Sequence, residues 1–206
     1  MGTMVLVASI NLSRGNPVAI GLALMAAICM FGPICGGHYN PAVTMGVLIN
    51  ERKCSNIGYA LGIMLSQLCG AILGCAIAYF SQQLNEQGVM TPGIAILCPA
   101  RPQSHISDDG LFECAPINFQ HGMNLLIAEG FGTFCLVAFI MQMKYFHEAP
   151  VPVIAFGVGL TLTALIIMVC DVSGAALNPA VGLIQSLFQL WAVNPAALKE
   201  GHKPSL

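Results

Sequence analysis

The chain has 206 residues, 56% hydrophobic and 8% charged, with a formal net charge of -2 and a mean hydropathy of +0.78. A water-soluble domain carries about 25% charged residues, so this chain cannot face water on all sides. A multi-pass integral membrane protein with a lipid bilayer as partner fits instead. The small net charge and scattered basic residues exclude nucleic acid.

Met1 to Ile10 is apolar but reaches only about half of the ~30 Å hydrocarbon core at 1.5 Å per residue. Spanning helices are predicted over 17–34, 57–80, 123–143 and 151–171, each close to the ~20 apolar residues a bilayer requires. The loop over 83–121 is polar and rich in Pro, Gly, Ser and Asp, and no element is assigned to it. Two further apolar runs, Pro41 to Asn50 and Pro179 to Val193, are too short to span. Each begins within an Asn-Pro-Ala tripeptide: Asn40, Pro41 and Ala42 in the first, Asn178, Pro179 and Ala180 in the second. Asn is a good N-cap and Pro suits the first helical turn, so both runs are read as half-helices starting inside the membrane. Irregular backbone survives at that depth only when buried in protein or lining a water-filled cavity.

The two tripeptides belong to an internal repeat. With Asn40 laid on Asn178, Gly21 falls on Gly159, Leu24 on Leu162, Ile28 on Ile166, Gly36 on Gly174 and Val43 on Val181 at one constant offset. Upstream, Gly2 in GTMVLV corresponds to Gly132 in GTFCLV. Each copy holds an odd number of spans, so the second is inverted relative to the first and the broken elements meet near the midplane. The chain is read as one domain over 1–206, with a first repeat over about 1–82, the connecting loop, and a second repeat over about 122–206. Glu129 is the one acid deep inside an apolar span, and an intramembrane carboxylate is a functional-site candidate by default. Most of the nine cysteines lie in apolar segments as small fillers. No C-x-x-C occurs, and neither a metal site nor a cofactor is expected. Cys98 and Cys114 flank the polar loop, and the sequence leaves their pairing open. The N-terminus does not have the pattern of a secretory signal peptide.

GGHYNPAVT at 36–44, QLCGAILG at 67–74, AEGFGTFCLV at 128–137 and SGAALNPA at 173–180 together resemble the aquaporin, or major intrinsic protein, family over nearly the whole chain. The resemblance implies an all-α integral membrane fold: an aquaporin-like inverted repeat of membrane-spanning helices with two re-entrant half-helices. It implies a passive channel for water or small neutral solutes such as glycerol or urea, no enzymatic activity, and a homotetramer. Asn40 and Asn178 would donate hydrogen bonds to passing molecules, and the two half-helix dipoles would oppose cations and protons. Glu129 would support a re-entrant loop through hydrogen bonds to its backbone, and His38 would act mainly through its own backbone.

Three departures stand out. The position after the second tripeptide, an Arg in water-selective members, is Val181, and the other constriction positions are Ile20, Ile166 and Ala175. Such an apolar ring is either a wider passage for neutral solutes or a gate that dewets. The first span matches only in its latter half, and the tail after Trp191 has no run long enough for a last span, so the chain reads as truncated in both. A third Asn-Pro-Ala, at Asn194, is read as coincidence. The truncation motivates an alternative function, a non-conducting aquaporin-like structural subunit of a larger membrane assembly.

Overall fold

The computed structural model describes residues 1–52, 54–81, 83–84, 90–91, 105–106, 112–113, 119–146 and 149–188. Helix α1 covers Gly2–Leu12, α2 Pro17–Cys35, α3 Pro41–Glu51, α4 Ile57–Phe80, α5 Phe119–Met141, α6 Val151–Ser173 and α7 Pro179–Phe188. Four helices have the length and apolarity to cross a membrane: Pro17–Cys35, Ile57–Phe80, Gly122–Tyr145 and Val151–Ser173. The third continues α5 through a π-helical turn, Gln142–Phe146. The protein is an all-α, multi-pass integral membrane protein.

Within the connecting loop the structure adds what composition did not show. Two antiparallel pairs form, β1 (Gln83–Leu84) with β2 (Met90–Thr91) and β3 (His105–Ile106) with β4 (Phe112–Glu113). Cys98, Cys114, Asn194 and the tail from 189 to 206 lie outside the described residues, and with them the expectations about the disulfide, the third tripeptide and the last span.

Helix ends follow local chemistry. The Asn16 side chain caps α2, accepting from Val18 N at 3.0 Å and Ala19 N at 3.2 Å. At the other end Gly36, with φ 77°, stops the helix and donates to the Gly32 carbonyl. Helix α6 ends in the same way at Gly174, φ 84°, which donates to the Cys170 carbonyl. A left-handed C-cap is where glycine costs least. The two repeats thus leave the helical path at matching positions.

Lipid and protein are equally apolar, so helices associate in membranes through close packing of small residues rather than through the hydrophobic effect. Helices α2 and α6 cross where a Cβ on Gly21 would lie 2.5 Å from the Gly159 carbonyl oxygen and one on Gly159 would lie 2.7 Å from that of Gly21. Thr163 Oγ1 donates to the Pro17 carbonyl at 3.2 Å on one side of this crossing, so the pair is antiparallel. Gly21 and Gly159 are repeat equivalents, which puts the pseudo-two-fold axis between them. Helix α1 packs on α4 at Gly74, whose Cβ would meet the Met4 carbonyl at 2.7 Å.

The half-helices diverge from the centre toward opposite faces. The far end of α3 meets the start of α4, with Asn56 Nδ2 donating to Glu51 Oε2 at 3.4 Å. The far end of α7 meets the other end of α4, with the Phe188 ring edge-on to Tyr79 at 5.9 Å. Between α3, α5 and α7 lies an open groove of about 820 Å³, lined by Gly46, Thr133, Phe134 and Gly182 among others. Thr133 and Phe134 are the repeat equivalents of Thr3 and Met4, the α1 surface on which α4 packs.

Candidate functional site

The loops preceding α3 and α7 meet at the centre and are tied by a reciprocal pair of bonds. Asn40 Nδ2 donates to the Leu177 carbonyl at 2.8 Å, and Asn178 Nδ2 donates to the Tyr39 carbonyl at 3.0 Å. Each asparagine also caps its own half-helix: Asn40 Oδ1 accepts from Ala42 N at 2.9 Å, and Asn178 Oδ1 from Ala180 N at 3.0 Å. Pro41 and Pro179 occupy the first helical position, where a missing N–H is harmless. The arrangement differs from the expectation in one respect. An amide has two N–H donors, and one on each asparagine is used to cross to the other loop, so one per side chain remains for a molecule at the centre.

Both asparagines line a cavity of about 370 Å³ that also takes in Ile20, Ile166, Ala175 and Val181. The structure therefore brings all four ring residues to one space together with the paired loops. Val181 is 1% exposed and Ala175 7%, so their surfaces are turned inward. Arg14, Cys170 and Asp171 stand at one end of the cavity, and Ile28 and Gly37 line it toward the other. Two helix N-termini, each equivalent to roughly half a positive charge, point at its middle from opposite sides. Among the described residues no group of His, Cys, Asp and Glu suited to a metal ion occurs.

The second loop is strained and well held. Ala175 and Leu177 have φ of 56° and 48°, values that L-residues adopt at a cost. Glu129 offsets that cost: Oε1 accepts from Ala176 N at 2.9 Å and Oε2 from Leu177 N at 2.7 Å. In the first loop the His38 carbonyl accepts from Asn40 N and from Gln67 Nε2. The His38 ring meets Lys144 Nζ through Nε2 at 3.4 Å. An ammonium only donates, so Nε2 is the accepting nitrogen in this contact.

Sequence reasoning did not find the structural roles of three residues that matter here. Gln67 holds the first loop and donates to Thr44 Oγ1 at 3.0 Å. Asn11 and Gln185 form a buried amide pair between α1 and α7. The available signal was the one that exposed Glu129: a lone polar side chain within an apolar helix.

The chain matches the family described as Major intrinsic protein over residues 8–189. It is 29% identical over 197 residues to Glycerol uptake facilitator protein-like 6 of Lactiplantibacillus plantarum, covering 91% of this chain and 81% of the relative. It is 31% identical over 170 residues to Aquaporin AqpM of Methanothermobacter marburgensis, covering 81% and 61%. With Aquaglyceroporin AqpS of Rhizobium meliloti it shares 27% over 175 residues, covering 83% and 59%. The matches thus span about three-fifths of the last two relatives' length. The repeat, the two crossed loops and the family match agree: the chain belongs to the major intrinsic protein family.

Proposed function

We propose that the central cavity is the conduction path of a passive channel carrying small neutral solutes of the glycerol and urea type, together with water. The observation that carries this reading is the reciprocal Asn40–Leu177 and Asn178–Tyr39 crossing inside a cavity ringed by Ile20, Ile166, Ala175 and Val181. The ring presents only aliphatic surface, which suits the carbon backbone of a small polyol. It supplies no counter-charge or polar group for an ion shedding its hydration shell. At the centre, the free N–H of each asparagine offers a donor to a solute hydroxyl or carbonyl, and the two half-helix termini repel cations. No bond is made or broken, and the flux follows the concentration gradient. The printed names of two relatives, a glycerol uptake facilitator and an aquaglyceroporin, support the same solute class. We extend the proposal to the homotetramer that the family resemblance implies.

Stopped-flow light scattering of proteoliposomes tests it. Water, glycerol and urea permeabilities above those of empty vesicles are expected. A folded protein that leaves all three at the empty-vesicle level overturns the channel reading and favours the structural subunit.

A further inference from the structure

Helix α7 begins at the crossed loops and carries Val181 one turn before Gln185. Gln185 and Asn11 are both 0% exposed and face each other as a ring of two hydrogen bonds. Asn11 Nδ2 donates to Gln185 Oε1 at 3.0 Å, and Gln185 Nε2 donates to Asn11 Oδ1 at 2.6 Å. Asn11 Nδ2 also donates to the Val7 carbonyl at 3.0 Å, and the Cys75 thiol of α4 donates to Gln185 Oε1 at 3.6 Å. Amides buried in apolar surroundings are costly unless paired. This architecture does not require them: their repeat equivalents are Met141 and Val47, both apolar. The pair therefore has no polar counterpart at the repeat-equivalent positions, and its Gln185 lies on the half-helix that brings Val181 to the ring.

The physical need is specific to that position. A ten-residue apolar helix has no hydrophobic drive to hold its depth in a membrane. Sliding by one residue moves it about 1.5 Å and turns it about 100°, which would carry the Val181 methyl groups off the cavity. The start of α7 is held by Asn178 and by Glu129 through the preceding loop. Further along the helix Phe188 adds an edge-on ring contact to Tyr79, but the directional bonds that fix rotation are those of Gln185. Its partner sits next to Ile10, which lines the same cavity. A polar pair that fixes register among apolar helices has precedent in the single buried asparagine of coiled coils.

We propose that Asn11 and Gln185 are positioning residues for solute selectivity: their amide pair sets the depth and rotation of α7, and so how far Val181 stands from Ile20 and Ile166. The proposal rests on the reading of the cavity as the conduction path. Its test compares wild type, the near-isosteric double variant N11L/Q185M and the exchanged pair N11Q/Q185N, each as the full chain in proteoliposomes. Two readouts are taken: the glycerol-to-water permeability ratio, and hydrogen–deuterium exchange of the segment 179–188. The double variant is expected to shift the ratio by at least about threefold, in scale with measured intramembrane hydrogen bonds, and to exchange faster over α7. The exchanged pair, which keeps both amides, is expected to stay closer to wild type in both readouts. A folded double variant with an unchanged ratio overturns the proposal, because a purely structural pair would alter stability without altering selectivity. Should the double variant not fold, N11Q/Q185N decides: a ratio and exchange further from wild type than those of the single variant Q185N overturn it. Should wild type conduct nothing, the channel reading fails by itself. Exchange over 179–188 then judges the positioning claim, and unchanged exchange in the double variant overturns it.

Discussion

Replacing Glu129 by glutamine isolates the support of the second loop. The carboxylate gives one oxygen to Ala176 N and the other to Leu177 N. Glutamine keeps one acceptor and turns a donor toward the other N–H, so one charge-assisted bond is lost and two donors face each other. A hydrogen bond to a charged group contributes about 1.5–3 kcal/mol, which makes a cost of roughly 2–3 kcal/mol reasonable. The strain at Ala175 and Leu177 adds to the consequence, because such conformations persist only while their surroundings enforce them. For a chain of this size 1 kcal/mol corresponds to about 2–4 °C, so the melting temperature of E129Q in detergent should fall by roughly 5–10 °C. Solute flux should fall with it, since the same loop carries Ala175 into the ring. Intrinsic-fluorescence melting and stopped-flow permeability measure both. A variant that melts within about 1 °C of wild type and conducts equally would refute the reasoning, because two bonds to a strained backbone would then contribute nothing.

Gly21→Ala should destabilise by about 1–3 kcal/mol, the usual range for overpacking, because its Cβ would lie 2.0 Å from Thr163 Oγ1 and 2.5 Å from the Gly159 carbonyl. Gly58→Ala, where nothing lies within 4 Å, is the control, and equal melting of the two variants would contradict the close crossing of α2 and α6. Val181→Ala removes two methyl groups from the ring and should raise glycerol flux relative to water, by up to roughly tenfold on the scale of hydrophobic size discrimination. An unchanged ratio in stopped-flow assays would remove Val181 from the constriction. Gln67→Leu deprives the His38 carbonyl and Thr44 of a donor and should cost about 1 kcal/mol, less than Glu129→Gln. Thermal melts showing the reverse order would contradict the assignment of supports to the two loops.

The parts of the fold that were legible in the sequence are those that depend on one residue type at one place. Twenty apolar residues in a row identify a span whatever surrounds them, and the four predicted spans agree with the helices within a few residues. Asn-Pro marks a helix start because the cap and the first turn are local, and the same logic places the ends of α2 and α6 at Gly36 and Gly174. Of the pairings between distant segments, the meeting of the two Asn-Pro-Ala loops followed from the repeat and the hold of Glu129 on a loop from the family resemblance; the others were not legible. Nothing in QLCGAILG says that Gln67 reaches the His38 carbonyl, and Asn11 shows in the sequence only as the start of an Asn-Leu-Ser glycosylation sequon too close to the membrane for modification, not as a partner of Gln185. The asparagine amides show the same limit within a recognised motif. The motif implies donors at the centre, yet only the three-dimensional crossing reveals that one N–H of each is already engaged.

The two loops also differ in how they hold their left-handed backbone. In the first loop the left-handed positions, with φ of 77° and 71°, fall on Gly36 and Gly37, where they cost little. In the second loop only Gly174 is a glycine. Ala175 and Leu177 take left-handed backbone at about 1–3 kcal/mol each, and the Glu129 carboxylate accepts from two N–H groups there. A glycine at 175 would adopt the same backbone freely but would leave one wall of the ring without its methyl group. The strained alanine is thus the smallest residue that closes the ring at that point, and the buried acid on α5 is the physical counterpart that keeps it there.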